Sequence, residues 1–257
     1  MKLDESWIFA FFLVFVRSSA MFLVSPLFGA SVAPRIRILF CVMFSFALTP
    51  IIQPYMPPIP QSIYGLLANV AHEAFVGILI GLSIQLLMMA AQMAGAIMDM
   101  QLGFNSMQMF NPNLGTTTTI MGQFHFLLFF VLFLMMNGHH TMIAAFVDSY
   151  QMRTAIGLGD LGAAKTGVVT LISTLMLLAV QISAPVAAVS FIVDAASGVI
   201  NKSIPQMPVF MVTMGAKASL GVIALALGLP LLTVATQSGI EHTMLHLYKI
   251  LAIKGGQ

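Results

Sequence analysis

Four charged side chains stand inside otherwise apolar stretches: Arg17, Glu73, Asp99 and Lys217. In such surroundings an ionised group needs an opposite charge, a proton or a route to a polar boundary. For Glu73 and Asp99 the residues leave three readings open: markers of helix ends among polar headgroups, partners for a neighbouring subunit, or members of a proton relay. Arg17 lies ten residues beyond Trp7, and Lys217 sits among small residues in MGAKAS. Both read as interhelical anchors, because no compact group of carboxylates accompanies them to form a transported-ion site. Assembly, or a polar seam between helices, is the expected role of all four.

The remaining reactive side chains argue against catalysis. His139 and His140 follow Asn137 and Gly138, but neighbours on a helix point about 100° apart, and no cysteine or carboxylate completes a metal set before Asp148. Capping or interfacial hydrogen bonding suits them. His72 and Glu73 lack the spacing of a zinc protease helix, and His242 and His246 fit a tail helix at a polar boundary. The lone cysteine, Cys41 in RILFCVMFSFAL, excludes an intramolecular disulfide framework. No nucleophile elbow, phosphate-binding loop or triad is present. The expectation is therefore no enzyme, no catalytic residue, no cofactor and no metal. Ten Lys and Arg against eight Asp and Glu, with no dense basic stretch, also make nucleic acid an unsuitable partner.

Two further patterns concern packing. At about 100° per residue, Gly77, Gly81, Ala91 and Gly95 fall within about 40° of one direction, and Glu73 and Asp99 share it. Small residues so spaced let helix backbones approach closely in an apolar medium, so this is a helix-packing face. It is read as a joint between subunits. The second pattern is methionine. Of 21 in the chain, Met88, Met89, Met93, Met98, Met100, Met107 and Met109 are concentrated before and within FNSMQMFN at Phe104 to Asn111. Thioethers repack easily as facing groups move. Gly103, Pro112 and Gly115 make this stretch loop-like, and irregular backbone at membrane depth is tolerated only within protein or beside water. A seal around a passage and a plain packed connector both fit. Copper ligation does not, since no His and Cys arrangement supports it.

The elements that must position these groups follow from composition. The chain has 257 residues, 59% hydrophobic and 7% charged, with mean hydropathy +0.99. Soluble domains carry about a quarter charged residues, so bilayer is the expected solvent. About six apolar helical segments are predicted: Trp7–Gly29, Ile38–Ile52, Ile63–Met98, Ile120–Ala145, Val168–Ala196 and Val209–Thr236. PRIR at Pro34 to Arg37 reads as the connection between the first two. The proline-rich QPYMPPIPQ, residues 53–61, reads as a rigid loop, and residues 148–166 as a solvated connection. The N-terminal stretch reads as a first span rather than a removable signal. Arg35 and Arg37 in one connection and Lys249 and Lys254 in the tail conflict over orientation in a simple six-span scheme. The fold class is thus all-α and polytopic, with only short loops.

The order of several fragments resembles the FliR/SpaR/YscT family of type III export gate proteins. They are SPLFGASVAPRIRILF (Ser25 to Phe40), HEAFVGILIG (His72 to Gly81), AGAIMDMQLGFNSMQMFNP (Ala94 to Pro112), NGHHTMIAAFVDSY (Asn137 to Tyr150) and SAPVAAVSFIVD (Ser183 to Asp194). The resemblance covers nearly the whole chain. It implies one gate domain over residues 1–257, with an approximately FliP-like part at 1–197 and a FliQ-like part at 198–257, built of kinked helical hairpins that need not be six ordinary spans. It also implies a subunit of the flagellar basal body in the bacterial inner membrane, assembled with FliP and FliQ, associated with FlhB, in contact with lipid, and conducting unfolded flagellar subunits. Proton-motive force or a partner ATPase would supply the energy. A family loop that plugs the closed channel maps to residues 103–115, with Gly103, Phe104, Met107, Met109, Phe110, Pro112 and Gly115 as its members here. The alternatives are the gate of a virulence secretion system and an ion-coupled small-solute transporter.

Overall fold

The computed structural model describes residues 4–26, 32–104, 119–151, 161–203 and 209–252. Among these the regular structure is helical, with no strand: α1 (Glu5–Val24), α2 (Pro34–Ile52), α3 (Ile63–Leu102), α4 (Ile120–Met135), α5 (Gly138–Gln151), α6 (Leu161–Ser203) and α7 (Val209–Ala252), plus a 3-10 turn at Gln53–Tyr55. Five helices are long and apolar enough to cross a membrane, and α4 with α5 forms a sixth candidate span bent by 67°. The fold is the all-α polytopic class expected from composition.

Helix ends depart from the apolar runs for local reasons. The PRIR stretch is not a connection: Pro34 opens α2 at its first turn, where a missing N–H costs nothing and the ring fixes a helical φ. The α4–α5 break falls at Asn137, at the NGHH stretch near which the fourth segment is expected to end. Asn137 has φ 58°, a left-handed conformation that asparagine tolerates better than most residues. The chain restarts as α5 with His140 N–H donating to the Asn137 carbonyl. At the other extreme, α6 and α7 outrun their apolar cores, reaching 43 and 44 residues. Polar residues such as Asn201, Lys202, Glu241 and His242 end the hydrophobic pattern without ending the helix. At a 1.5 Å rise, α3, α6 and α7 measure about 60–66 Å each, twice a hydrocarbon core of about 30 Å. The 197/198 boundary taken from the family resemblance lies within α6.

The chain divides into two compact units, Met1–Leu86 with Asn137–Ile172 and Glu241–Gln257, and Leu87–Met136 with Ser173–Ile240. In the first, Trp7, Leu13, Val14, Met21 and Phe22 of α1 are buried together with Phe146 of α5. Edge-on aromatic contacts add to it: Phe22 with Phe40 and Phe44, and Phe44 with Phe146. In the second, Leu87, Phe129, Phe133, Leu178 and Leu232 are buried. Apolar side chains also cover the outside, among them Ile36, Leu39, Met43 and Phe46 on α2 and Leu227 on α7. Only an apolar surrounding accommodates that much exposed hydrocarbon.

In the first unit Gly77 abuts the Arg17 carbonyl and Ala20 of α1, and Gly81 abuts the Met21 carbonyl and Val24. Numbering rises together on both helices, so α1 and the start of α3 run in the same direction with their backbones in contact. A Cβ on either glycine would strike backbone, which cannot swing aside. Gly77→Ala and Gly81→Ala are expected to lower stability by about 1–3 kcal/mol each, as overpacking does. Gly198→Ala, facing open space, should be neutral or stabilising because alanine favours helix over glycine. Thermal unfolding of the three variants in detergent checks the contrast.

Candidate functional site

The glycine contact places the first polar cluster. Glu73 lies one turn before Gly77 on the same face of α3, so the close approach of α1 brings Arg17 within reach. Arg17 Nε donates to Glu73 Oε2 at 2.6 Å. Its Nη1 donates to Ser149 Oγ at 2.5 Å, and its Cζ lies 3.5 Å from the centroid of the Tyr150 ring. Arg17 is 1% exposed and Glu73 5%. The partner of Glu73 is therefore Arg17 of the same chain, not a group on another subunit, and the pair joins α1, α3 and α5. Arginine suits the position because its guanidinium offers several N–H donors in a plane and a face for the aromatic ring. Near it, Ser18 Oγ meets Ser45 Oγ at 2.7 Å, tying α1 to α2, and Tyr248 Oη donates to Asp148 Oδ2 at 2.8 Å, tying α7 to α5.

The second cluster surrounds the C-terminal end of α3, in the second unit. Asp99 Oδ2 accepts from the backbone N–H groups of Met121 at 2.8 Å and Gly122 at 3.4 Å. These are early donors of α4 with no intrahelical acceptor, and a carboxylate there also meets the positive end of the helix dipole. Thr119, the N-cap residue of α4, makes no side-chain cap bond of its own. Gly95, one turn earlier on α3, abuts the Met121 carbonyl and Gly122, so glycine again permits the approach that a charge then secures. Ser190 Oγ of α6 donates to the Gln101 carbonyl at 2.8 Å. Leu102 lies against Gly221 of α7. Three helices thus hold the last turn of α3, and Gly103 leaves it with φ 79°, a conformation that favours glycine.

Other members of the sequence-derived set fall as follows. Ala91 is buried on α3. The faces of Gly77, Gly81 and Gly95 are filled by α1 and α4 of this chain, in place of the subunit joint read from the stripe. Lys217 Nζ reaches both carboxylate oxygens of Asp194, at 2.6 and 2.7 Å, joining α7 to α6. His139 and His140 sit in the first turn of α5 with ring centroids 4.3 Å apart. Phe104 is half-buried beyond Gly103. Met107, Met109, Phe110, Pro112 and Gly115 lie outside the described residues. Sequence reasoning did not name Ser149 and Tyr150 as partners of Arg17, Ser190, or Asp194 as the partner of Lys217. The signal for Asp194 was present: it is the one acid in α6. Among the described residues no group of His, Cys, Asp and Glu could hold a metal.

The Arg17–Glu73 pair is a stringent test of this arrangement. Removing one partner strands the other charge, which costs about 3–5 kcal/mol for a buried pair. Arg17→Met and Glu73→Gln should each lower the yield of folded protein from membranes and its midpoint of thermal unfolding. Arg17→Met combined with Glu73→Gln should lose less than the sum of the separate changes.

Comparison with known proteins agrees with this architecture. Residues 8–243 match the family described as bacterial export proteins, family 1. Among similar proteins, the flagellar biosynthetic protein FliR of Caulobacter vibrioides is 33% identical over 221 residues, covering 84% of this chain and 87% of that one. FliR of Bacillus subtilis is 30% identical over 251 residues and 96% of both chains. FliR of Escherichia coli is 24% identical over 253 residues, 96% of this chain and 93% of its own. With its helices, its buried charges and nearly its whole length falling under one family description, the chain belongs to the bacterial export proteins, family 1.

Proposed function

We propose that the protein is a membrane-embedded component of the flagellar export apparatus, acting as a non-enzymatic subunit of its gate in the bacterial inner membrane at the basal body. It assembles with FliP and FliQ, with FlhB associated, and lines the route of unfolded flagellar subunits. The family match over residues 8–243 carries the reading, and the similarity to proteins named flagellar biosynthetic protein FliR favours flagellar over virulence export. The fold is consistent with it: helices about twice the bilayer thickness suit hairpins embedded in an assembly better than free spans. The segment 103–115 closes the channel. It follows a last turn of α3 held by three helices, and its sequence carries Met107, Met109 and Phe110. Methionine and phenylalanine side chains can seal around unlike polypeptides without requiring a set hydrogen-bond pattern.

Deletion of residues 106–110 should leave the complex assembled but raise its passive ion conductance, measured in proteoliposomes holding the copurified gate. Unchanged conductance would refute a closing role for the segment. Loss of the whole chain should abolish swimming. The purified chain alone should move no small solute into liposomes; such transport would favour an ion-coupled carrier.

A further inference from the structure

We propose that His125 is a proton-binding site of the second unit, with the Asp99 carboxylate as its counter-charge. The site lies within the parts of α3, α4, α6 and α7 that form that unit, and its chemistry is independent of any closing role for residues 103–115. Met121 joins the two groups. Its backbone N–H donates to Asp99 Oδ2 at 2.8 Å, and its carbonyl accepts from His125 Nδ1–H at 2.9 Å, one turn into α4. The carboxylate and the ring are therefore fixed to the two sides of a single residue, and the charge of Asp99 acts on the ring.

Hydrogen bonding leaves both groups short of a donor. A carbonyl can only accept, so Nδ1 carries the ring hydrogen and Nε2 of the neutral ring is a bare acceptor. Among the described residues the ring makes no other hydrogen bond. Asp99 Oδ1 likewise takes none among them, although Asp99 is 0% exposed and His125 2%. With an ionised carboxylate and a neutral ring the site holds one uncompensated negative charge in an apolar interior, which is unfavourable. A single proton brings its net charge to zero. It goes to the ring, because two backbone N–H groups and the positive end of α4 favour the ionised carboxylate. Room for a carrier is present: His125 lines a cavity of about 10 Å³ between the four helices, at the lower limit for one water. A water there donates to Nε2 of the neutral ring and accepts from Nε2–H of the charged one. The other walls are uncharged, with Met98 from α3, Ile182, Pro185 and Val186 from α6, and Ala224 and Leu232 among those from α7. Asp194 and Lys217, about two turns away along α6 and α7, bind each other. His125 is the one ionisable residue of α4, so Asp99 is the charge that governs the ring.

The test follows the His125 ring nitrogens by NMR in the folded full chain in detergent, with labelled histidine, between about pH 4 and pH 8, a range that brackets the ordinary histidine value. His125→Gln, which keeps a hydrogen-bonding group, identifies the signal. As pH falls, the parent ring should pass in one step from a proton on one nitrogen to a proton on both. In Asp99→Asn, which keeps the shape and removes the charge, the proton affinity of the ring should fall about ten-fold, one pH unit. A His125 ring that stays neutral across the range overturns the proposal. So does an affinity unchanged in Asp99→Asn, which would leave the ring as a hydrogen-bonding group of α4 alone. Should Asp99→Asn fail to fold, labelled aspartate in the parent decides the role of the counter-charge. One carboxyl carbon should shift in step with the ring and stay still in His125→Gln, and the absence of such a carbon overturns the assignment of Asp99. Neither readout involves export or conductance, so the outcome is separate from that of the 106–110 deletion.

Discussion

The chain depends on a constraint that an apolar medium imposes on charge: a buried ion must meet its partners at hydrogen-bond distance, because no water will compensate. In α3 that constraint is met by geometry first and electrostatics second. Gly77 and Gly81 remove the side chains that would hold α1 away, and Arg17 then reaches Glu73 at 2.6 Å. Gly95 does the same for α4, and Asp99 then accepts its backbone N–H groups. Each acid follows or precedes its glycine by one turn, so the same helix face supplies the gap and the group that uses it.

This coupling explains why ionised residues persist where hydrophobic ones would cost less. A close backbone contact between small residues gains dispersion energy but little selectivity along the helix axis, since a shift of one turn can present a similar surface. A charge that is satisfied at one register and stranded at the next penalises the shift. Arg17 has Glu73, Ser149 and the Tyr150 ring around it, an arrangement that sliding α1 along α3 would dismantle. The Lys217–Asp194 pair applies the same logic to α6 and α7, in a more exposed setting.

Much of this was legible in the sequence. Composition gave the helical membrane class, the 3.6-residue period gave the small-residue face, and isolated charges in apolar runs marked Arg17, Glu73, Asp99 and Lys217. What the sequence withheld was partnership. A stripe of glycines states that a backbone comes close, not which one, so the filling of that face by α1 and α4 could not be read from spacing. The helix ends were obscure for a related reason. Hydrophobicity reports the medium, whereas helix continuity follows backbone hydrogen bonding, so α6 and α7 pass through Asn201 and Glu241. The identity of Asp99 as a cap for α4 was hidden because capping signals are sought next to the helix they serve, and this one lies on the far side of residues 104–118.

The end of α3 is fixed from three sides. Packed helices transmit displacement because they are dense and stiff. Ser190, Leu102 and Asp99 tie the last turn of α3 to three different helices. Gly103 then turns the chain away in a single residue of left-handed conformation. A side chain with a Cβ at that position would strain the turn.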